Sequence, residues 1–314
     1  MNKLTYFPGC SAHGTSEEFD HTLKLVMKSL EVQMEEIPDW NCCGATSAHV
    51  MTENLALALP MRNLVLAEKL DNKIMGIACA SCYSRMKGTK KQLDEHPDLA
   101  KRINTTIIDE GTYQGAVDVQ SMLQYCYETI GFETIKSKVK KSLSGLKVAC
   151  YYGCLLTRPK DVTHFDSPEY PMSMDRIMEA LGATAVEFDY KTECCGASFS
   201  ISNTEVVESL SGKILELAKE SGAHLVVVAC PLCQSNLDMR QPDIEKHSGK
   251  KLDLPVMYFT QLMALAFGYP ESELMLPKHI VPVEPALKHI GDEIPVPEKS
   301  KKTKKAVEAE SEVE

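Results

Sequence analysis

Apolar and polar positions follow the same order twice along the chain. Short apolar runs, such as LTYF at 4–7 and LKVACYY at 146–152, predict buried strands. Other segments, such as MDRIMEALGA at 174–183, place apolar residues at helical spacing and predict amphipathic helices. The predicted elements are strand 4–7, helix 23–32, helix 53–70 and strand 73–78, then strand 146–152, helix 174–183, helix 204–221 and strand 224–229.

Each half therefore reads strand, helix, strand, loop, helix and strand. Runs of β-branched residues such as HLVVVA at 224–229 are typical of buried parallel strands. We predict an α/β fold of two similar βαβ-type units related by internal duplication, with parallel-sheet cores and flanking helices. The predicted boundaries are a first unit at 1–90, a helical connector at 91–145, a second unit at 146–268 and a Pro-rich extended strap with a charged, disordered tail at 269–314.

The cysteines repeat with the predicted elements. Each half has one cysteine after its first strand, an adjacent pair inside CCGA, and a closing C-x-x-C, which reads CASC at 79–82 and CPLC at 230–233. The first cysteines also end similar segments, YFPGC and CYYGC. Two copies of one five-cysteine module explain this spacing, and the two series are Cys10, Cys42, Cys43, Cys79 and Cys82, then Cys154, Cys194, Cys195, Cys230 and Cys233.

Composition and charge limit the classes of function that the protein could have. Hydrophobic residues make up 44% and charged residues 25%, as in soluble globular proteins. The net charge of -10, with no basic stripe, argues against a nucleic-acid partner. No apolar run is long enough for a membrane span, and the amino terminus has no secretory signal pattern, so we expect a cytoplasmic protein. In that reducing compartment, twelve cysteines favour metal binding or redox chemistry over disulfides.

Five thiolates per module suit an iron–sulfur cluster. Zinc takes four ligands in a closed tetrahedron, and adjacent cysteines seldom serve one structural zinc. Each C-x-x-C is predicted to begin a helix, where unpaired N–H groups favour anions, and Gly44 and Gly196 allow the backbone to approach closely after each pair. A thioredoxin-like redox pair and scattered buried thiols are the alternatives. Cys126 and Cys150 have no counterpart in the repeat, so we predict that they are buried thiols rather than ligands.

The motifs YFPGC, DWNCCGA, TECCGA and CPLCQSNLDMRQ resemble the B subunit of heterodisulfide reductase and related cysteine-rich CCG-domain proteins over nearly 1–268. The resemblance implies one non-cubane [4Fe-4S] cluster in each half, with the five cysteines of each series as its ligands. It also implies a small disulfide substrate between the clusters, for which coenzyme M–coenzyme B heterodisulfide is the family default. The implied partners in the same complex are a ferredoxin-like iron–sulfur protein and a flavin protein, because this chain has no ferredoxin-type cysteine run and no dinucleotide-binding fingerprint.

The number of electrons needed to reduce a disulfide indicates the expected activity. Reduction of a disulfide takes two electrons, and two clusters beside the S–S bond could each supply one and hold one sulfur at iron. We therefore expect the catalytic subunit of a disulfide reductase complex. The alternatives are an electron-relay subunit of a quinone-linked dehydrogenase and a structural zinc protein. Charged loop residues near the cysteines are candidate substrate contacts or simply solvated, and they are His13, His49, Arg158, Lys160 and Arg240.

Overall fold

The computed structural model describes residues 2–45, 48–107 and 110–291, and it contains two four-stranded parallel sheets. The first has the strand order β2-β1-β3-β4 and the second β6-β5-β7-β8. Each sheet thus places its first strand beside its second and third, as a duplicated βαβ unit requires. The strands are β1 (Asn2–Phe7), β2 (Val32–Glu36), β3 (Ile74–Ile77), β4 (Asp118–Ser121), β5 (Lys147–Tyr151), β6 (Thr184–Ala185), β7 (Leu225–Val228) and β8 (Val256–Tyr258).

Helices cover the sheets and occupy the predicted positions. The predicted helices 53–70 and 204–221 correspond to α3 and α10, and those at 23–32 and 174–183 overlap α1 and α9. The helices are α1 (Glu17–Ser29), α2 (Ala48–Met51), α3 (Glu53–Glu68), α4 (Ala80–Glu95), α5 (Pro97–Asn104), α6 (Met122–Gln124), α7 (Phe132–Ser137), α8 (Lys160–Thr163), α9 (Ser173–Ala180), α10 (Thr204–Glu220), α11 (Pro231–Met239), α12 (Gln241–Ser248), α13 (Phe259–Ala266) and α14 (Glu284–Leu287). The predicted fold class is confirmed.

The two halves share one hydrophobic core. Helix α1 of the first half packs on α13 of the second, where the Phe19 and Tyr258 rings stack with centroids 4.4 Å apart. The Thr22 and Thr260 hydroxyl oxygens lie 2.8 Å apart in the same interface. Helix α9 of the second half packs in turn on α6 and on the π-helical turn Tyr125–Gly131 of the first. This reciprocal packing fixes how the two sheets, and the loops at their ends, lie relative to each other.

The first unit extends beyond residue 90. Strand β4 pairs with β3, with Ile77 beside Ser121, although β4 lies in the segment predicted as a helical connector. The strand escapes periodicity analysis because DVQS has a single apolar residue, Val119. A helix follows β4 as it follows β8, and the aligned segments VQSMLQ at 119–124 and VMYFTQ at 256–261 share their first and last residues. The repeat unit is therefore a complete four-stranded sheet and its following helix.

The Pro-rich segment is also more compact than predicted. The sequence predicts an extended strap here, yet within residues 270–291 two short 3₁₀ turns and α14 bury apolar side chains such as Leu274 and Val283. The backbone N–H groups of Ile280 and Val281 donate to the buried Asp238 carboxylate, which attaches the segment to α11. Residues 292–314, where a disordered tail is predicted, lie outside the described residues. Within the described ranges, no helix has the length and apolar character that crossing a bilayer requires.

Candidate functional site

The cysteines of each half gather at one edge of its sheet. Cys10 follows β1, the Cys42–Cys43 pair follows β2, and Cys79 follows β3. Because the carboxyl ends of parallel strands meet at the same edge, these loops converge. The second half repeats the arrangement, with its cysteines after β5, β6 and β7. Each C-x-x-C begins a helix as predicted, since Cys79 and Cys230 are the N-cap residues of α4 and α11.

The five cysteines of each half show the same pattern of solvent exposure. In the first half Cys10 and Cys42 are exposed, whereas the other three cysteines are buried. In the second half Cys194 is exposed and Cys154 is partly exposed, and the remaining three are buried. Each half thus has two cysteines toward solvent and three in the interior. Equivalent cysteines therefore occupy equivalent environments, as two copies of one binding site would require.

In the first half, the Sγ atoms of Cys43 and Cys82 lie 3.0 Å apart. Hydrogen bonds from the Cys42 and Cys82 thiols lower the pKa of Cys43 to about 4, since they stabilise its thiolate. The same contact with Cys43 raises the pKa of the Cys42 thiol. The backbone N–H of Gly44 also donates to Cys42 Sγ over 3.5 Å. These groups favour negative charge on sulfur at the centre of the first set.

The second half repeats these contacts with small changes. The Sγ atoms of Cys195 and Cys233 are 3.7 Å apart, and the Gly196 N–H donates to Cys194 Sγ over 3.3 Å. A hydrogen bond from the Cys154 thiol lowers the pKa of Cys194 to about 6. Contacts between cysteines thus lower the pKa of a thiol in each half, Cys43 in the first and Cys194 in the second, although these two residues are not equivalent in the repeat.

The two sets meet in the interior of the protein. Cys79 of the first half lies close to Cys230 of the second, and this proximity raises the pKa of the Cys79 thiol. Cys79 in turn contacts Cys82, and Cys230 contacts Cys233. Thiol contacts consequently continue through buried cysteines from the CCGA pair of the first half to that of the second. The buried cysteines of the two halves therefore lie next to each other, with exposed cysteines at the outer end of each set.

Two glycines leave room beside the buried sulfurs. Gly9 and Gly153 each precede the first cysteine of their half and have positive φ angles of 75° and 70°. A Cβ atom on Gly9 would lie 3.3 Å from Cys82 Sγ, and one on Gly153 would lie 3.1 Å from Cys233 Sγ. Both positions therefore favour glycine for its backbone conformation and for the space beside a buried sulfur.

The donor atoms available at the two sheet edges are soft cysteine sulfurs. Among residues 2–45, 48–107 and 110–291, no three His, Cys, Asp or Glu side chains are grouped in a way that could hold a metal ion. The sulfurs instead contact one another in pairs. Cysteine sulfurs, two glycine positions beside sulfur and backbone N–H groups that donate to sulfur are features that an anionic iron–sulfur group would use.

Cys126 and Cys150 lie apart from this site. Cys126 is in the π-helical turn after α6, and burial raises its thiol pKa to about 12. Cys150 is in β5 and is fully buried, and burial likewise raises its pKa. Both environments disfavour a thiolate, which agrees with the prediction that these residues are buried thiols.

Substitution of either leftover cysteine should leave the iron content of the protein unchanged. Cys126→Ala and Cys150→Ala each remove a thiol whose pKa is raised by burial and which lies outside the chain of thiol contacts described above. Iron analysis of anaerobically prepared variants checks this prediction, with wild-type protein purified in parallel as the control. Loss of about half the iron in either variant would mean that the repeat register is wrong.

Three of the five charged residues predicted as possible substrate contacts have partners within the protein. Arg158 donates to the Thr192 carbonyl oxygen over 2.7 Å, and Arg240 donates to that of Ser200 over 2.8 Å. His13 Nε2 lies 3.5 Å from the Glu36 carboxylate. Lys160 is exposed at the start of α8, and the His49 side chain lies outside what the structure describes. Arg158 thus holds the loop before Cys194, and Arg240 holds the loop after the second CCGA motif.

A buried ion pair that the sequence patterns do not predict lies next to the segment before Cys154. Lys191 Nζ lies 2.5 Å from Asp175 Oδ1, and the two side chains are 1% and 2% exposed. The Tyr152 hydroxyl donates to the same carboxylate over 2.7 Å. The Lys191 carbonyl oxygen accepts hydrogen bonds from the backbone N–H groups of Tyr152 and Gly153, just before Cys154. A lysine three residues before CCGA, where the first half has Asp39, was the available signal.

The fold and the site together define a duplicated α/β protein with one cysteine-rich site in each half. A family model described as the cysteine-rich CCG domain matches residues 4–87 and 148–238, and the chain belongs to that family. Both matched regions span a first strand and a C-x-x-C helix, so the family accounts for the repeat observed here.

Curated relatives extend the likeness over most of the chain. The 8-methylmenaquinol:fumarate reductase membrane anchor subunit of Wolinella succinogenes is 34% identical over 282 residues, which cover 90% of this chain and 98% of that protein. The B subunit of the ferredoxin/F(420)H(2)-dependent CoB-CoM heterodisulfide reductase of Methanosarcina acetivorans is 30% identical, with 90% and 94% covered. The predicted resemblance to the B subunit of heterodisulfide reductase is therefore confirmed.

One solved structure shares the fold. The crystal structure of a hypothetical protein from Helicobacter pylori superimposes with a TM-score of 0.71 at 13% sequence identity. The match covers 89% of this chain and 52% of that one, so this chain spans about half of its length. At this identity the comparison supports the fold alone.

Proposed function

We propose that each half of the protein holds one iron–sulfur cluster of four irons, of the non-cubane type. The convergence of five thiols at each sheet edge, with matching burial, supports this assignment. The proposed ligands of the first cluster are Cys10, Cys42, Cys43, Cys79 and Cys82. Those of the second are Cys154, Cys194, Cys195, Cys230 and Cys233.

We propose further that the protein is the iron–sulfur subunit of a complex that reduces a small disulfide. The observation that supports it most is the buried contact of Cys79 with Cys230, which joins two sulfur sites that are each open to solvent at the other end. The overall reaction consumes one disulfide, two electrons and two protons and yields two thiols. The clusters supply one-electron storage and iron that can bind sulfur.

In this proposal the residues of the chain position the two clusters and the substrate. The buried cysteines fix the two sites next to each other, and the exposed Cys10, Cys42 and Cys194 lie where a small disulfide can approach. The Gly44 and Gly196 N–H groups stabilise negative charge on sulfur at that entrance. A coenzyme M–coenzyme B heterodisulfide or a related disulfide is the proposed substrate, and the M. acetivorans relative carries the first in its name.

Electrons reach this chain from other proteins of the complex in our proposal. The proposed partners are a ferredoxin-like iron–sulfur protein and a flavin protein. Exposed apolar side chains follow the CCGA motif in both halves, with Val50 and Met51 at 73% and 67% exposure and Ile201 at 99%. Exposed apolar groups that follow the exposed cysteines in sequence suit contact with the partner that delivers electrons.

A second candidate function is electron relay in a quinone-linked dehydrogenase. The relative at 34% identity, named as part of an 8-methylmenaquinol:fumarate reductase, favours it. A relay needs two neighbouring clusters for one-electron steps, and the same cysteine contacts would serve it. What separates the two functions is whether a small sulfur compound enters the site.

Addition of a small thiol to the oxidised protein separates the candidates. We expect coenzyme M or coenzyme B, titrated under anaerobic conditions, to change the paramagnetic resonance spectrum of a cluster, because a reductase must admit a product sulfur. A non-thiol analogue with the same charge is the control. An unchanged spectrum with every thiol, together with quinol oxidation by the complex, would replace the reductase with the relay.

A further inference from the structure

A cluster of buried polar side chains lies where α1, α13 and the Pro-rich segment meet. Among the residues that the structure describes, four of its atoms have no hydrogen-bond partner, and they are Ser16 Oγ, Glu18 Oε2, the Tyr258 hydroxyl oxygen and His279 Nδ1. Glu18 is 1% exposed and Tyr258 is fully buried. Ordered water commonly pairs with buried polar groups of this kind. The interface between the halves therefore contains a polar region with an acidic side chain in it.

Contacts between the two halves hold this polar cluster together. Glu18 precedes Phe19, whose ring stacks on the Tyr258 ring with an angle of 4° between the planes. The Tyr258 N–H donates to Gln261 Oε1 over 2.9 Å. Gln261 Nε2 in turn lies 2.8 Å from His279 Nε2. A residue of the first half, two of the second and one of the Pro-rich segment thus meet at one place.

The polar cluster reaches from the surface to the sheet edge that carries cysteines. Tyr258 ends β8 and pairs with Val228 of β7, two residues before Cys230. Because the carboxyl ends of parallel strands meet at one edge, Tyr258 lies at the cysteine edge of the second sheet. At the other end of the cluster, Glu17 and Lys278 form an exposed ion pair with an N–O distance of 2.5 Å. The buried acid lies next to this surface pair in sequence.

Glu18 is the group of this cluster best placed to gain and lose a proton. Burial raises the pKa of its carboxyl group, and the charged groups that face it are Lys278, Asp238 and Glu17. Burial lowers the pKa of His279 to about 4 and raises that of Tyr258, so both are neutral near pH 7. Burial also raises the pKa of Asp238, but that carboxylate accepts three hydrogen bonds, whereas Glu18 Oε2 accepts none among the described residues.

We propose that Glu18 takes up a proton from solvent when an electron enters the neighbouring cluster, and that this proton then passes by way of Tyr258 to a product thiolate. The inference rests on the proposed reductase. Partner proteins supply two electrons, the S–S bond breaks, and each sulfur gains one proton. Glu18 provides one proton and returns to its carboxylate form, and water at the exposed entrance provides the other. A negative charge added in the interior favours protonation of a buried carboxylate, because such charges are screened little there.

The test is a redox titration of the anaerobically prepared full chain at several pH values, followed by paramagnetic resonance. At a fixed applied potential, the ratio of reduced to oxidised cluster should fall by up to about tenfold per unit rise in pH, because the reduced state binds one more proton. Glu18→Gln should abolish this dependence for that cluster, and Glu18→Asp, which keeps an acid, should retain it. Glu17→Gln changes the neighbouring exposed acid and is the matched control, with the dependence intact.

Infrared difference spectra and solvent isotope effects give separate readouts. Reduction of the wild-type protein should produce the carbonyl band of a protonated carboxylic acid, which should be missing in Glu18→Gln and present in Glu17→Gln. Tyr258→Phe keeps the ring that stacks on Phe19 but removes the hydroxyl. It should keep the band and the pH dependence, yet lower disulfide turnover by the complex severalfold and increase the solvent isotope effect on turnover.

Four results would overturn the proposal. They are wild-type potentials that do not depend on pH, a dependence that persists in Glu18→Gln, a dependence that Glu17→Gln abolishes as well, and unchanged turnover in Tyr258→Phe. Wild-type protein without any iron–sulfur signal would instead overturn the proposed function itself.

Discussion

Replacing Cys43 with serine should abolish disulfide turnover by the complex while the second cluster stays assembled. Cys43 is buried, contacts both Cys42 and Cys82, and has the thiol with the lower pKa of its pair. Serine has nearly the same size but is a poor ligand for iron, so the first cluster should be lost. Iron content should fall to about half of the wild-type value, because four-iron clusters are proposed in both halves.

The matched variant Cys195→Ser should give the mirror-image result. It should lose the second cluster, keep the first, and also lack turnover, because a two-electron reduction needs both one-electron carriers. In each variant the remaining cluster should still exchange electrons with a redox dye. Cys126→Ser is the control for replacing a buried cysteine with serine outside the two sets, and it should retain both clusters and turnover. Disulfide reduction at the wild-type rate by either variant would show that one half suffices.

The second large effect concerns the buried ion pair. Lys191→Met should lower the free energy of unfolding by about 3–5 kcal/mol, because it leaves the Asp175 carboxylate buried without its cation. The Lys191 backbone holds Tyr152 and Gly153, so displacement of this segment should also reduce iron in the second half. Denaturant unfolding and iron analysis of the same anaerobic preparation measure both consequences.

Two further variants isolate the buried charge as the cause. Lys138→Met removes a surface ion pair with Glu31, whose N–O distance is 2.8 Å, and should cost less than about 1 kcal/mol. The double variant Lys191→Met with Asp175→Leu removes both buried charges and should recover much of the loss. If Lys191→Met unfolds at the wild-type denaturant concentration, the pair has no role in stabilising the second half.

Periodicity and cysteine spacing predicted the parts of the fold that carry local signals. Strands such as 225–228 are continuous apolar runs, and helices such as 204–220 have an apolar stripe, so both are visible without tertiary information. Strand β4 has no such run, because its residues are buried by pairing with β3 and by the helix after it. Its sequence similarity to the corresponding segment of the second half is limited to two of six positions, Val119 with Val256 and Gln124 with Gln261.

The division of cysteines into two sets followed from the repeat, but their arrangement in space did not. The contact of Cys79 with Cys230 depends on the packing of α1 on α13 and of α9 on α6, which no spacing rule specifies. The Lys191–Asp175 pair is similar, since its members are 16 residues apart and meet only through tertiary folding. Local sequence thus predicts which residues belong to a site, while the interface between the halves determines how the sites meet.

The measurement that tests the central claim most directly is the metal and sulfide content of the anaerobically purified protein. With one four-iron cluster in each half, we predict about eight irons and about eight acid-labile sulfides per chain. Variants of the ten repeated cysteines should lose iron in units of about four, whereas Cys126 and Cys150 variants should lose none. Zinc bound without labile sulfide would contradict the presence of iron–sulfur clusters in either half.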